Sequence, residues 1–292
     1  MDSRQFGLTG LQVSAVGLGT GGLGRAEITD RDAERLLHGA LDLGVTLIDT
    51  ARSYGLAEER IGRSLSGRRS HFVLSTKVGY GIPGIQDLTY DAVVAGVREA
   101  LRTMRTDHLD IVHLHSFPAD IIRQNGLFDA LSAMQDKGLV RVIAYSGDND
   151  DLGWTIDSGR VGSVECSVNV LDQRVLDWML PRAKERGLGV IAKRPLANAP
   201  WTRTRRPEGH DVSTYWDRWF ALHLDLPVDP VPLFLRFAAY TWGVDAVITG
   251  VSSLEHLEQN VRAVDEGILP GGMVEMLRHA FRTHDQNWYG VT

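Results

Sequence analysis

The chain has 292 residues, 43% apolar and 23% charged, with a formal net charge of −6. This composition excludes a disordered or low-complexity protein and allows a large buried core, while the acidic balance argues against a nucleic acid or an anionic membrane surface as partner. A single cysteine, Cys166, excludes an intrachain disulfide and suits a reducing compartment. Met1–Gln5 is not followed by the apolar run of a secretory signal, and no stretch reaches the ~20 apolar residues of a membrane helix, so a cytoplasmic protein is expected.

In chain order, Arg4–Leu8 and Leu11–Ser14 flank Thr9-Gly10 and read as a hairpin. Short apolar runs follow at Ala15–Leu18, Val45–Asp49, Phe72–Lys77, Leu109–His115, Val140–Ser146, Ser163–Ser167, Gly189–Lys193 and Ala246–Thr249. Their near-continuous apolarity suits strands covered on both faces. Helix-like stretches such as Asp30–Leu43, Tyr90–Met104 and Gly126–Lys137 lie between them. The first carries a stripe of Ala33, Leu36, Leu37, Ala40 and Leu41 behind a Thr29 or Asp30 cap. Gly44, Gly138 and Gly187 stand where helices end before strands. Eight strands alternating with helices predict an α/β fold, a closed (β/α)8 TIM barrel, formed as one domain over residues 1–292, with the hairpin capping its bottom. The longest interruption, Asn198–Pro230, falls between the seventh and eighth strands.

In such barrels the chemistry sits at the C-terminal ends of the strands. Those positions hold Asp49, Lys77 and His115 on three consecutive strands, and Tyr54 follows on the loop after Asp49. Singly, each has an ordinary structural reading: a strand-end Asp often caps a helix. Together they are harder to dismiss, because a lysine ending an apolar strand is rarely buried without a partner.

These residues also carry a resemblance. Leu47-Ile48-Asp49-Thr50-Ala51-Arg52-Ser53-Tyr54-Gly55 with Glu58-Glu59-Arg60-Ile61-Gly62, then Leu74–Gly79 and Leu109–His115, are similar to the signatures of the aldo-keto reductases. The opening Phe6–Ser14 resembles that family's bottom hairpin, and Ile248–Ser253 with Leu257 and Asn260 resembles its cofactor-binding stretch. The likeness implies a catalytic tetrad of Asp49, Tyr54, Lys77 and His115 that moves a hydride between a nicotinamide cofactor and a carbonyl or alcohol substrate: an aldehyde, a ketone or a sugar. Tyr54 would exchange the proton. Lys77 would lower its pKa from ~10 by roughly 1–3 units, Asp49 would hold Lys77, and His115 would orient the substrate oxygen.

The resemblance also implies a cofactor path. Gly19, Thr20 and Gly21, in a glycine-rich run without the G-x-G-x-x-G arrangement, would lie beside the nicotinamide ribose together with Asp49. Lys193, Arg194, Pro195, Leu196 and Ala197 would cover the pyrophosphate. Gly250, Ser252, Ser253, His256, Gln259 and Asn260 would meet the adenosine end, where a helix start offers an anion site. Phe117 and Trp201, with Tyr54 and His115, would line the substrate pocket. Two places depart from the family pattern. Ser146-Gly147, Glu165 and Lys193 stand where a Ser-Asn pair, a glutamine and a stacked aromatic ring usually hold the nicotinamide, which predicts a Glu165–Lys193 salt bridge in place of the ring. A carboxylate there favours the cationic, oxidised nicotinamide and hence the dehydrogenase direction. At the adenosine end Gly250 and His256 replace the usual lysine and arginine, so NADP(H) rests on family habit and NAD(H) stays open. Two other functions compete: a non-catalytic nucleotide-binding subunit that senses redox state, and a metal-dependent barrel hydrolase using His113-x-His115. Nothing in the sequence specifies an oligomeric state.

Overall fold

The computed structural model describes residues 2–224, 226 and 229–292. Strands β1 (Ser3–Phe6) and β2 (Leu11–Ser14) pair antiparallel, with Phe6 opposite Leu11. The barrel strands are β3 (Val16–Gly19), β4 (Leu47–Asp49), β5 (Val73–Val78), β6 (Leu109–His115), β7 (Val140–Ser146), β8 (Ser163–Ser167), β9 (Gly189–Lys193) and β10 (Ala246–Gly250). All pair parallel and close in chain order, β10 joining both β9 and β3. This is the predicted (β/α)8 barrel with an N-terminal hairpin.

The helices are α1 (Asp30–Asp42), α2 (Ala57–Leu65), α3 (Tyr90–Thr103), α4 (Ala119–Gln124), α5 (Leu127–Gln135), α6 (Asn149–Ser158), α7 (Arg174–Glu185), α8 (His210–Ala221), α9 (Pro230–Ala239), α10 (Leu254–Asp265) and α11 (Gly271–His284). The α1 helix shows how sequence sets the barrel rim. Thr29 caps it, its hydroxyl accepting from the Asp32 amide at 3.1 Å, and Ala33, Leu36, Leu37 and Ala40 bury one face. The chain then turns at Gly44, and the Val45 amide donates back to Ala40 at 3.0 Å, which sends β4 upward and leaves Asp49 at its C-terminal end.

Inside the cylinder Leu47, Val73, Ile111, Val142, Ala144, Ile191, Ala246 and Ile248 pack with Phe6, Leu11 and Val13 of the hairpin. The bottom is therefore plugged by apolar side chains, the larger of which contribute about 1.5–3 kcal/mol each on burial, and the polar ends of the strands face the other rim. The long interruption after β9 folds as a short turn, Pro200–Thr202, and α8, whose Tyr215, with Leu222 just past the helix end, packs with Phe234 and Phe237 of α9. Asp225, Pro227 and Val228 of that predicted segment lie outside the described residues. Among the described residues, no helix is long and apolar enough to cross a membrane.

Candidate active site

Asp49, Lys77 and His115 stand at or next to the last positions of β4, β5 and β6, three neighbouring strands. Lys77 is fully buried. Its Nζ donates to Asp49 Oδ2 at 2.6 Å and to the Thr50 carbonyl at 3.1 Å, and it faces Glu165 Oε2, from β8, at 3.4 Å. Ser75 donates to Asp49 Oδ1 at 2.8 Å, so its oxygen is left to accept from His113 Nε2 at 3.0 Å. The Tyr54 ring lies over this group, its centroid 5.5 Å from Lys77 Nζ. Close backbone approach holds that ring's loop: the Leu56 amide donates to the Gly24 carbonyl at 3.1 Å, and a Cβ on Gly24 would come within 1.7 Å of the Tyr54 carbonyl oxygen.

Charge in this layer follows from burial and pairing. Burial opposes the Lys77 ammonium, but Asp49 and Glu165 outweigh it and keep the pKa above the ordinary lysine value. Burial and the facing Glu165 charge push the Asp49 carboxyl upward. Burial also works against Glu165, yet Lys77 first and then Lys193 hold it below the usual carboxylate range. Lys77 draws the Tyr54 phenol down, as expected, but burial and the two carboxylates prevail and leave it at about 12. The expected lowering of Tyr54 is thus corrected: in the free protein one lysine charge is offset by two carboxylates, and the phenol stays protonated.

His115 is kept neutral, at about 3, by burial and then by Lys77. Its Nδ1 lies 2.6 Å from the Tyr80 hydroxyl, which is itself 3.2 Å from Ser53 Oγ. A Tyr80 hydroxyl donating to Nδ1 puts the imidazole hydrogen on Nε2, free for a substrate oxygen. Sequence reasoning missed Tyr80. It sits two residues beyond β5, at the turn where Gly79 takes φ +108°, and that tyrosine after a strand-end lysine was the only signal.

A cavity of about 700 Å³ opens above these residues. Of the positions expected to bind cofactor or substrate, Gly19, Gly21, Asp49, Tyr54, His115, Ser146, Glu165, Lys193, Arg194, Pro195, Leu196 and Gly250 line it. Gly22 of the glycine-rich run and Ile248 and Thr249 of the expected cofactor-binding stretch line it too, and Ser116, Asn198, Ala199 and Thr292 line it without having been foreseen. Thr20 lies beneath, its hydroxyl donating to the Asp49 carbonyl at 3.0 Å, and Ala197 is fully buried. Phe117 is buried with its ring 6.2 Å from that of Tyr80, and Trp201 packs against Phe234 at 4.7 Å; neither lines the cavity. Ser253 caps α10, accepting from the His256 amide at 3.2 Å. Ser252, His256 and Gln259 are exposed beside it, and Asn260 is buried.

The expected Glu165–Lys193 salt bridge gives way to another pairing. Lys193 Nζ lies 3.0 Å from Asp148 Oδ2, while Glu165 accepts from Ser146 Oγ at 3.0 Å and turns its other oxygen to Lys77. Asp148 is a buried carboxylate on the loop after β7 and outcompetes Glu165 for Lys193. Arg194 donates to the Val291 carbonyl and faces Asp211 at 3.8 Å, so its guanidinium is tied to the chain's last residues. The backbone around it is strained: Arg194, Ala197, Asn198 and Ala199 all have φ between +48° and +59°, the kind of cost seen where a loop is shaped for a ligand. The cavity also fits a polar, amide-bearing ligand, because Glu165 Oε2 and Thr249 Oγ1 are buried without a hydrogen-bond partner and both residues line it. Asp49, His113 and Glu165 gather their polar atoms within 4.8 Å of one another, the grouping a hydrolase would offer a cation. Here the cation among them is the Lys77 ammonium itself.

A plugged barrel with an acid–base group beneath an open rim cavity is the framework of a barrel oxidoreductase. Residues 15–280 match the model described as Aldo/keto reductase family, and the chain belongs to that family. It is 30% identical over 285 residues to L-galactose dehydrogenase of Arabidopsis thaliana, covering 91% of this chain and 89% of that protein. It is 34% identical over 305 residues to a probable voltage-gated potassium channel subunit beta of Oryza sativa subsp. japonica, covering 91% and 92%. Among solved structures it resembles aldo-keto reductase AKR11C1 of Bacillus halodurans in its holo form, with a TM-score of 0.83 at 27% identity over 96% of both chains.

Proposed function

We propose that this protein is an NAD(P)-dependent oxidoreductase that oxidises a small hydroxyl-bearing substrate, a sugar or related alcohol, or reduces the matching carbonyl. The observation that carries the reading is Lys77, buried between Asp49 and Glu165 directly under Tyr54. A bound nicotinamide would accept or supply the hydride. Tyr54 exchanges the proton of the substrate oxygen at its hydroxyl; Lys77 supplies the one positive charge beneath it, drawing the phenol toward ionisation against the two carboxylates, while Asp49 fixes the ammonium in place. His115 Nε2, set by Tyr80, orients the same oxygen. Positioned acid–base catalysis of this kind is worth about 10²–10⁴-fold.

Ser146, Glu165 and Lys193 are assigned to the nicotinamide, the Arg194–Ala197 loop to the pyrophosphate, and Gly250–Ser253 with the start of α10 to the adenosine. Family habit favours NADP(H), whereas the exposed residues at α10 leave NAD(H) equally accommodated. The likeness to L-galactose dehydrogenase supports a sugar, as do Ser116, Asn198 and Thr292, hydrogen-bonding side chains on the cavity wall. The likeness to a probable channel subunit supports a second reading, a nucleotide-binding subunit that reports redox state. Turnover of aldoses and simple aldehydes with each nucleotide, in both directions, separates them. Steady turnover supports the enzyme; tight nucleotide binding with no turnover of any carbonyl or alcohol supports the subunit.

A further inference from the structure

Lys77 faces two carboxylates and neutralises one. Asp49, Lys77 and Glu165 are all 3% exposed or less at their side chains, so the imbalance lies in a dry layer. Every element around them leaves it uncorrected. From β5 comes Ser75, which is neutral. From β6 come His113 and His115, both held uncharged by burial. From β7 comes Ser146, and Lys193 of β9 is matched by Asp148. Tyr54 and Tyr80, from the loops after β4 and β5, are protonated phenols. One negative charge is left over, and an unpaired buried charge is strongly penalised.

Two events relieve it: a proton on the carboxylate pair, or a cation in the cavity faced by Glu165, whose Oε2 has no hydrogen-bond donor. We propose that Glu165 makes the site selective for the oxidised, cationic nicotinamide over the neutral reduced form, and that binding the oxidised form expels the proton held by the Asp49–Glu165 pair. The inference rests on the reading that this cavity takes a nicotinamide nucleotide. The balance is one for one: protonated protein plus oxidised nucleotide gives the complex plus a proton to solvent, and no proton moves when the reduced form binds. In support, burial and Glu165 push Asp49 up to about 7, which leaves the pair protonated in the free protein on the acid side of neutrality.

Calorimetric titration with oxidised and reduced NAD and NADP, in buffers of different ionisation enthalpy from pH 6 to 9, tests this directly. Comparing the two redox forms of each nucleotide cancels protons from a 2′-phosphate. The expected result is release of up to about one proton per oxidised nucleotide at pH 6, fading to none by pH 9. Affinity for the oxidised form should tighten by up to about tenfold per pH unit below neutrality and level off above it, while affinity for the reduced form stays flat. Glu165→Gln, which keeps the shape and the Ser146 contact, should abolish the release and lower the oxidised-to-reduced affinity ratio at least about tenfold. Glu165→Asp should restore part of both. Equal proton counts for the two redox forms of the wild-type protein would overturn the proposal whether or not the variants fold. Failure of any nucleotide to bind would instead bring down the reading of the cavity itself.

Discussion

The two ends of the cavity differ in how they are held. At the reaction end, Lys77, Asp49, Glu165 and Ser146 are buried, and each is bonded to another member of the group. At the end assigned to adenosine, Gly250, Ser252, His256 and Gln259 are exposed, and the ordering contact is the helix cap from Ser253 to the His256 amide. Buried charge pairs fix geometry before any ligand arrives, since breaking one strands its partner. Exposed polar residues hold no such geometry and respond to whatever docks. Variants at the first end should therefore change rate and stability together, and variants at the second should change only nucleotide choice.

The largest effect is expected from Lys77→Met. It removes the counter-ion of two buried carboxylates, so turnover should fall by more than about 10³-fold and folding stability by about 3–5 kcal/mol, read by urea unfolding at pH 7. Without Lys77 the folded-state pKa of Glu165 rises from below to above its unfolded value, and that of Asp49, already raised, climbs further. The variant's stability is then fully present at low pH and lost as pH rises through those values, so its deficit should shrink between pH 7 and pH 5. A deficit independent of pH would mean that the carboxylates are not what Lys77 stabilises. Next comes Tyr80→Phe, which takes the hydrogen bond from His115 Nδ1. The expected cost is roughly tenfold in kcat/KM with nucleotide affinity unaltered, and a loss of nucleotide affinity would show that Tyr80 shapes the cavity rather than the imidazole. The smallest is His256→Arg, which should tighten NADPH binding about three- to tenfold and leave NADH unchanged, measured by fluorescence titration. An equal effect on both would place the 2′-phosphate elsewhere.

The same contrast explains what could be read in the sequence. Strands β6, β7, β8 and β9 match their apolar runs residue for residue, because both faces of a barrel strand are covered and apolarity marks the whole span. The run Val45–Asp49 overshoots β4 by two residues: Val45 is buried closing the end of α1, and Thr46 is half-buried with its hydroxyl accepting from the Ser14 amide at 2.8 Å, so both are tied down without being strand. The gathering of Asp49, Lys77 and His115 was legible because strand order makes neighbours of strand ends. The partner of Lys193 was not, because Asp148 comes from a loop whose path no periodicity records. Tyr80 was missed for the same reason. Its contact with His115 depends on the turn at Gly79, and its sequence position alone reads as the start of a loop.

The central claim is that Tyr54, over a buried Lys77, is the group that exchanges the substrate proton. Single-turnover kinetics of Tyr54→Phe, alongside nucleotide binding by the same protein, tests it most directly. The account predicts hydride transfer slowed about 10²–10⁴-fold with nucleotide affinity within about twofold of the unaltered protein. Transfer at the unaltered rate without the Tyr54 hydroxyl would contradict it.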